Sequence, residues 1–324
     1  MGHYQHLTTD ERERIMVLNA QGLSKRTIGK ELNRSHSTIS RELNRNHRFN
    51  GSYSAAWALK KYQKRRRRCH KKLIMSNKDI ANYVIERLQL KWTPEQIAGR
   101  AKKDKCPFYF SFSTIYRAID KRLLLFSPKQ MRFKGIVNRK RKPDDKRGKM
   151  QGITSIDKRP AIANNRKRRG DWESDSVLGT RRTGAIGTHV DRKTGYLVAF
   201  KLEGLSSTEY VERTVEAFKQ IPQKYRKTFT VDHGKEFTNH RDLARFLNMP
   251  VYFCDPCSPW QRGTNENTNG LLRQFFPKKT SFASITDEVL ECVVALINQR
   301  PRKRLGWKTP AEVFFNGLAP KWCT

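Results

Sequence analysis

Asp175, Asp232 and Glu266 are the side chains of this sequence best suited to chemistry. Asp175 falls inside a run, residues 171–178, that reads as a strand. Asp232 closes a second such run, just before His233-Gly234, where a side chain reaches the active edge of an α/β sheet. Glu266 sits in a stretch, 265–274, that reads as a helix. Carboxylates gathered in this way suit phosphoryl transfer without a covalent enzyme intermediate, in which two divalent ions about 3.5–4 Å apart serve the attacking and leaving oxygens. All-oxygen ligands favour Mg²⁺, with Mn²⁺ as a substitute. Each acid also has a plainer use. Glu173 shares a strand face with Asp175 and could replace it or be only a solvated edge acid, Asp232 could be no more than a turn-former, and Glu266 could be a surface acid.

The elements that would position these acids follow a recognisable order. Strands are expected over residues 171–178, 184–190 and 196–202, the last after a turn at Asp191-Arg192-Lys193-Thr194-Gly195. A helix over 208–220 would bury Val211, Val215 and Phe218. A strand over 228–232, a helix across 243–248, a strand over 251–254 and the helix over 265–274 follow. Three hairpin-like strands, then alternating helices and strands, are the order of a ribonuclease-H-like α/β domain. Thr309-Pro310-Ala311-Glu312 reads as a capping box that opens a short closing helix.

The other half of the chain is built to meet a polyanion. The 324 residues carry 67 Lys and Arg against 30 Asp and Glu, and residues 1–170 hold +31 of the formal +37. Charge of this density favours nucleic acid, because neutralised phosphates release condensed counterions. A ribosomal type of basic protein is the plain alternative, but such chains lack a balanced, Trp-containing second half. Thr8 and Glu11 form a capping box for a helix that would bury Ile15 and Leu18. Ser24 caps a second helix through Ile28 and Leu32, and a turn at Asn33-Arg34-Ser35 leads to a third over 37–43. Ile39 and Leu43 face inward there, leaving Ser37, Thr38 and Arg41 exposed, with Arg45 beyond them. This is a helix-turn-helix with a major-groove reading helix, or else an ordinary three-helix bundle.

A second such unit is expected around Trp92-Thr93-Pro94-Glu95-Gln96. Thr93 caps a helix with Pro94 at its first position, and a reading helix over 113–119 exposes Ser113, Thr114 and Arg117. The connection between them is long and rich in aromatics, Phe108, Tyr109 and Phe110. Lys64-Arg65-Arg66-Arg67-Arg68 is either a phosphate-binding run, with Arg66 at its centre, or a solvated helix face. Residues 127–169 are sparse in apolar side chains and read as a basic tether.

Other classes are set aside. No apolar run approaches the roughly 18 residues of a membrane span, and Met1-Gly2-His3-Tyr4-Gln5-His6 lacks the apolar core of a secretory leader. The six cysteines show no framework spacing, as expected in a reducing cytoplasm. Cys254-Asp-Pro-Cys257 has ligand-like spacing but no second pair, so it is expected to pack at a strand end rather than bind zinc.

Three runs resemble the three blocks of a DDE transposase: Gly170-Asp171-Trp172-Glu173-Ser174-Asp175, Val231-Asp232-His233-Gly234-Lys235-Glu236-Phe237 and Ser258-Pro259-Trp260-Gln261-Arg262-Gly263-Thr264-Asn265-Glu266-Asn267. More closely, the chain resembles the insertion-sequence thirty family of bacterial mobile elements. The runs Asn269-Gly270-Leu271-Leu272-Arg273-Gln274-Phe275-Phe276-Pro277-Lys278 and Asn298-Gln299-Arg300-Pro301-Arg302-Lys303 extend the similarity over essentially the whole chain. Two departures stand out, Ser174 in place of the usual Gly and Cys257 in place of another residue type.

The resemblance implies Asp175, Asp232 and Glu266 as the catalytic, metal-binding triad, with Asp175 preferred to Glu173. It also implies DNA-phosphate contacts at Arg273 and Asn269, with Lys235 a weaker candidate and Gly270 on the same helical face. Trp260 would be a packing anchor or a DNA wedge. The expected activity is cleavage at the 3′ ends of the element's inverted repeats and joining to target DNA by a dimer or larger assembly. The rivals are a non-catalytic DNA-binding regulator and a metal-dependent nuclease without strand transfer. The expected domains are 1–50 and 51–126, each with a helix-turn-helix, a linker over 127–169 and the catalytic domain over 170–324. The expected location is the bacterial cytoplasm, associated with the nucleoid.

Overall fold

Thr8 opens helix α1 (Thr9–Ala20) with the anticipated capping box: its hydroxyl accepts from the Glu11 amide, and its own amide donates to the Glu11 carboxylate at 2.7 Å. In this computed structural model, which describes residues 5–48, 51–69, 77–131, 152–256 and 258–316, the chain divides into two compact units, Met1–Ile74 and Met75–Thr324.

In the first unit, α1 is followed by α2 (Lys25–Glu31), α3 (His36–Asn46) and α4 (Ala55–Cys69). Leu7, Ile15, Ile28, Ile39 and Leu43 form its core, with Leu18 and Leu32 only partly buried. The turn between α2 and α3 is tight enough to require glycine. A Cβ on Gly29 would stand 2.8 Å from the Arg34 carbonyl oxygen. Cap chemistry moves the start of α3 upstream of the expected Ser37, because the Ser35 hydroxyl accepts from the Ser37 amide. The basic run 64–68 lies within α4, where Arg66 is exposed; the side chains of Arg67 and Arg68 lie outside the described residues.

The second unit begins with α5 (Lys78–Gln89), which was not anticipated, then α6 (Pro94–Lys103) and α7 (Phe112–Asp120). The long aromatic connection between α6 and α7 is packing material. Phe108 stacks on Phe110 at 5.7 Å, and both rings meet Tyr83 of α5. Within the expected tether, residues 132–151 lie outside the described ones, while Ala161–Asn164 forms the short helix α8.

Strands β1 (Asp171–Leu178), β2 (Ala185–Asp191), β3 (Leu197–Leu202), β4 (Thr228–Val231) and β5 (Val251–Phe253) build one sheet in the order β3-β2-β1-β4-β5. The first three pair antiparallel, and β4 and β5 run parallel to β1. One face is covered by α9 (Ser207–Lys219), α10 (His240–Leu247) and α13 (Pro310–Phe314), whose Tyr210, Phe218, Leu243 and Phe314 join Trp172 and Phe229. The other face carries α11 (Gly263–Leu272) and α12 (Asp287–Asn298), with Leu271, Leu290 and Ile297 against Val177 and Ile186. Alternation along β1 therefore sends Trp172 to one layer and Val177 to the other. This is the ribonuclease-H-like α/β order expected from the sequence.

Beneath the first face lies a histidine without anticipated purpose. His189 is fully buried, its Nδ1 2.7 Å from the Ser174 hydroxyl and its Nε2 3.2 Å from that of Thr214. Ser174, the departure from glycine, is thus occupied by a partner on the face away from Asp175. Burial pushes the His189 pKa down to about 3. The folded protein keeps the ring neutral, whereas the unfolded chain takes up a proton near its ordinary value of about 6.5. Stability contributed by His189 is therefore complete above about pH 6.5 and falls by roughly 1.4 kcal/mol per pH unit below it. His189→Asn should flatten the pH dependence by that slope, as read by urea unfolding across the acidic range.

Candidate active site

Parallel pairing of β1 with β4 decides what meets at the sheet's active edge. The register that pairs Glu173 with Thr230 brings Asp175 of β1 level with Asp232, which follows the last residue of β4. One guanidinium joins them: Arg262, just ahead of α11, reaches Asp175 Oδ1 at 3.2 Å and Asp232 Oδ2 at 2.7 Å. Its Nη1 also donates to the Ser174 carbonyl at 2.8 Å. Asp232 forms the turn envisaged as its plainer use as well, Oδ1 accepting from the Gly234 amide at 2.8 Å.

Helix α11 crosses β1 and β2 through two asparagines one turn apart. Asn269 Nδ2 donates to Asp175 Oδ2 at 2.9 Å, and Asn265 Nδ2 donates to the Glu173 carbonyl at 3.0 Å. Thr188 of β2, paired with Asp175 in the sheet, holds its hydroxyl within 3.2 Å of both asparagine side-chain oxygens. Glu266 follows Asn265 on the first turn of α11 and is exposed. Asp175 and Asp232 are thus brought together, and Glu266 stands apart from them. Among the described residues, no group of three or more His, Cys, Asp or Glu side chains is arranged to hold a metal ion.

The electrostatics are those of a cation-hungry pair. Burial pushes the Asp175 carboxyl above its usual range, opposed by the Arg262 charge and reinforced by Asp232. Burial also works against the charge of Arg262, but the two carboxylates outweigh it and hold the guanidinium protonated more firmly than usual. Two adjacent carboxylates with hard oxygen donors, already gathered around a positive group, fit a divalent cation in their chemistry.

Glu173 does different work from Asp175. It is completely buried, paired with Arg192, and its Oε2 accepts the Asn265 amide at 2.8 Å. No side chain at the N-cap of α11 makes a capping hydrogen bond, so this carboxylate from β1 serves as its cap and faces its positive end. Sequence reasoning weighed Glu173 as a rival ligand or a solvated edge acid, and its complete burial overturns the latter. Its signal was the buried charge it would need to share, and Arg192 lay in a run read merely as a turn. Arg262 was also missed, although two neighbouring carboxylates demand a counter-cation.

Other expected residues fall as follows. Arg273 donates to the Leu178 carbonyl at 2.7 Å, with its guanidinium 5.7 Å from the Phe282 ring centre. Lys235 is exposed on the turn after Asp232. Trp260 is 72% exposed, so it is not a packing anchor. Cys254 is buried after β5, its thiol pushed up to about 11 chiefly by burial, and Cys257 lies outside the described residues.

The two helices expected from the sequence to read DNA share one design. In α3, Arg41 is exposed and its Nε donates to the Ser37 carbonyl at 3.1 Å; in α7, exposed Arg117 does the same to Ser113 at 3.3 Å. Both helices carry Ser-Thr-Ile-x-Arg, with Ile39 and Ile115 fully buried beneath. Thr38 and Thr114 are partly buried, and Arg45 is exposed one turn beyond Arg41.

A five-stranded sheet of this order, with one carboxylate on β1 and a second just past the end of the parallel β4, defines an integrase-type core, and residues 163–259 match the family described as integrase core domain. Residues 3–46 match the family described as helix-turn-helix domain. The chain is 39% identical to the transposase InsI of insertion sequence element IS30C of Escherichia coli (strain K12), over 97% of this chain and 84% of that protein. It is 36% identical to the transposase of IS4351 of Bacteroides fragilis, over 96% and 95% of the two chains. Against the transposase of IS1086 of Cupriavidus metallidurans the identity is 33%, over 98% and 96%. The chain belongs to the IS30 family of transposases. It is a DDE-type enzyme of DNA transposition, binds DNA, and depends on a divalent metal ion. Among the described residues, no helix is long and apolar enough to cross a membrane.

The cap on α11 can be tested directly. Glu173→Gln leaves Arg192 buried without its counter-charge, which should cost about 3–5 kcal/mol in urea unfolding. Amide exchange should accelerate first in the opening turn of α11.

Proposed function

We propose that this transposase recognises the terminal inverted repeats of its own element, frees their 3′ ends by hydrolysis and joins them to target DNA. The observation that carries the reading is the meeting of Asp175 and Asp232 at Arg262. In our reading Asp175, Asp232 and Glu266 are the catalytic metal ligands, the ion is Mg²⁺, and Mn²⁺ replaces it. When bound, the ions polarise the phosphoryl group and activate the attacking oxygen. The protein's own share is positional. Arg262 keeps two like charges assembled by offsetting one of them, Asn269 orients Asp175, and α11 carries Glu266 on its exposed first turn, beside the stripe that Asn269 turns to the sheet.

In the first step a water oxygen forms a bond to phosphorus as the bond to the 3′ oxygen breaks, leaving a 3′ hydroxyl and a 5′ phosphate. In the second, that hydroxyl attacks a target phosphodiester and displaces its 3′ oxygen, which takes up a proton. The number of phosphodiester bonds is unchanged by joining, so no external energy source is needed.

DNA is gripped at separate places in this reading. Ser37, Thr38, Arg41 and Arg45 meet one groove segment, and Ser113, Thr114 and Arg117 meet another. Arg66, Lys235, Asn269 and Arg273 serve phosphates, and exposed Trp260 wedges against a base step. The protein acts as a homodimer or larger assembly in the bacterial cytoplasm, since two element ends must be brought together. The organisation is two helix-turn-helix regions, 1–50 and 51–126, a basic linker over 127–169 and the catalytic domain over 170–324.

Incubation of the full-length protein with Mg²⁺ and labelled duplex carrying the element's ends tests the reading. Glu266→Gln and Asp232→Asn should each reduce nicking and joining to background while DNA affinity holds within about twofold. Nicking that survives either change removes the site assignment, and binding without any nicking leaves a regulator. Arg41→Ala and Arg117→Ala should each weaken binding and lower the slope of log affinity against log salt by about one.

A further inference from the structure

The second DNA-reading unit is bolted to the catalytic core. Each of two capping boxes accepts an arginine from across the contact. Gln96, which closes the box of α6 by accepting the Thr93 amide at 2.9 Å, also accepts from Arg300 Nε at 2.7 Å. Its Nε2 donates back to the Pro301 carbonyl at 2.8 Å. In the other direction Arg100 of α6 forks onto Glu312, the closing residue of the α13 box, with two bonds of 2.8 Å. Between them the helix comes so close that a Cβ on Gly99 would lie 2.3 Å from the Trp307 ring.

The contact does not stop at the core surface. Arg300 is buried, and its Nη1 donates to Gln274 Oε1 at 2.6 Å. Gln274 follows the C-cap of α11, whose Arg273 is tied to the end of β1. One desolvated guanidinium therefore links the first turn of α6 to the last turn of the helix carrying Glu266 and Asn269. Only arginine offers two donors in a fixed fork of this span. The reading face of α7 stays exposed on the same compact unit.

We propose that the α5–α7 unit is a ruler: its docking fixes the distance between the DNA segment read by α7 and the phosphodiester presented to Asp175 and Asp232. Arg300 is the positioning residue that carries this distance into α11. The proposal rests on the catalytic reading above.

The test uses the full-length protein on duplex carrying the element's own end. Hydroxyl-radical footprinting of wild type and Arg117→Ala identifies the segment held by α7. With two base pairs inserted between that segment and the cut, the wild-type cut should move by two nucleotides and keep its distance from the footprint. A cut that stays at the original phosphodiester overturns the ruler. Arg300→Gln should keep affinity within about twofold yet spread cleavage over neighbouring phosphodiesters, and a single unshifted cut overturns the role of Arg300. Gln274→Ala breaks the same link without emptying the buried position, so it answers the question if Arg300→Gln does not fold. Should the wild type cut nothing with Mg²⁺ or Mn²⁺, the catalytic reading fails, and docking is then read by hydrogen exchange on the DNA-free chain. Loss of the Arg300 link should speed exchange in the first turn of α6 and the last turn of α11 together; a change at one end alone overturns the coupling.

Discussion

A buried carboxylate at the head of one helix holds the site in place. Glu173 has no access to water, and its carboxylate is satisfied by Arg192 and by the backbone amide of Asn265 in the first turn of α11. That arrangement fixes where α11 starts, and through Asn265 and Asn269 it fixes the height at which the helix crosses β1 and β2. Asp175 lies two residues further along the same strand face, so one segment of β1 both anchors the helix and supplies an acid to it. Satisfying one buried charge therefore sets the geometry of the neighbouring exposed chemistry.

Arg262 plays the complementary part at the mouth of the site. Two carboxylates brought level by parallel pairing repel one another, and the partly buried position of Asp175 makes that repulsion costly. A forked cation between them relieves it without a covalent link. The separation of Glu266 from this pair follows from its position on the first turn of α11, beside rather than on the stripe that Asn265 and Asn269 turn to the sheet. Two acids are brought together by the sheet, and Glu266 rides on a helix whose ends are tied to other parts of the fold.

Much of the framework was legible in the chain. Capping boxes at Thr8, Thr93 and Thr309 were readable because a cap needs only residues three apart. The strands β1 to β3 were readable as runs set off by local turn residues, the turn at Asp191-Arg192-Lys193-Thr194-Gly195 separating the second from the third. Helices α5 and α12 escaped notice: α5 packs against the aromatic connection and α12 against the sheet. What gives them their place is a contact distant in sequence. Trp260 was misjudged as a possible anchor because a large ring reads as core material until its surroundings are known.

The sequence by itself determined the class of chemistry and of partner: carboxylates in strand and helix settings, an excess of positive charge before residue 171, and motifs that follow local rules of turn and cap. Only the tertiary structure decided that Glu173 is a structural cap and that Asp175 meets Asp232. It also decided that Arg262 bridges the pair, and that helix α6 is fastened to the core through Gln96, Arg100 and Arg300. These choices depend on pairing register and on how buried charges are matched across the fold. The reason is physical: the energy of a buried ion is set by neighbours in space, and those neighbours lie tens to hundreds of residues away along the chain.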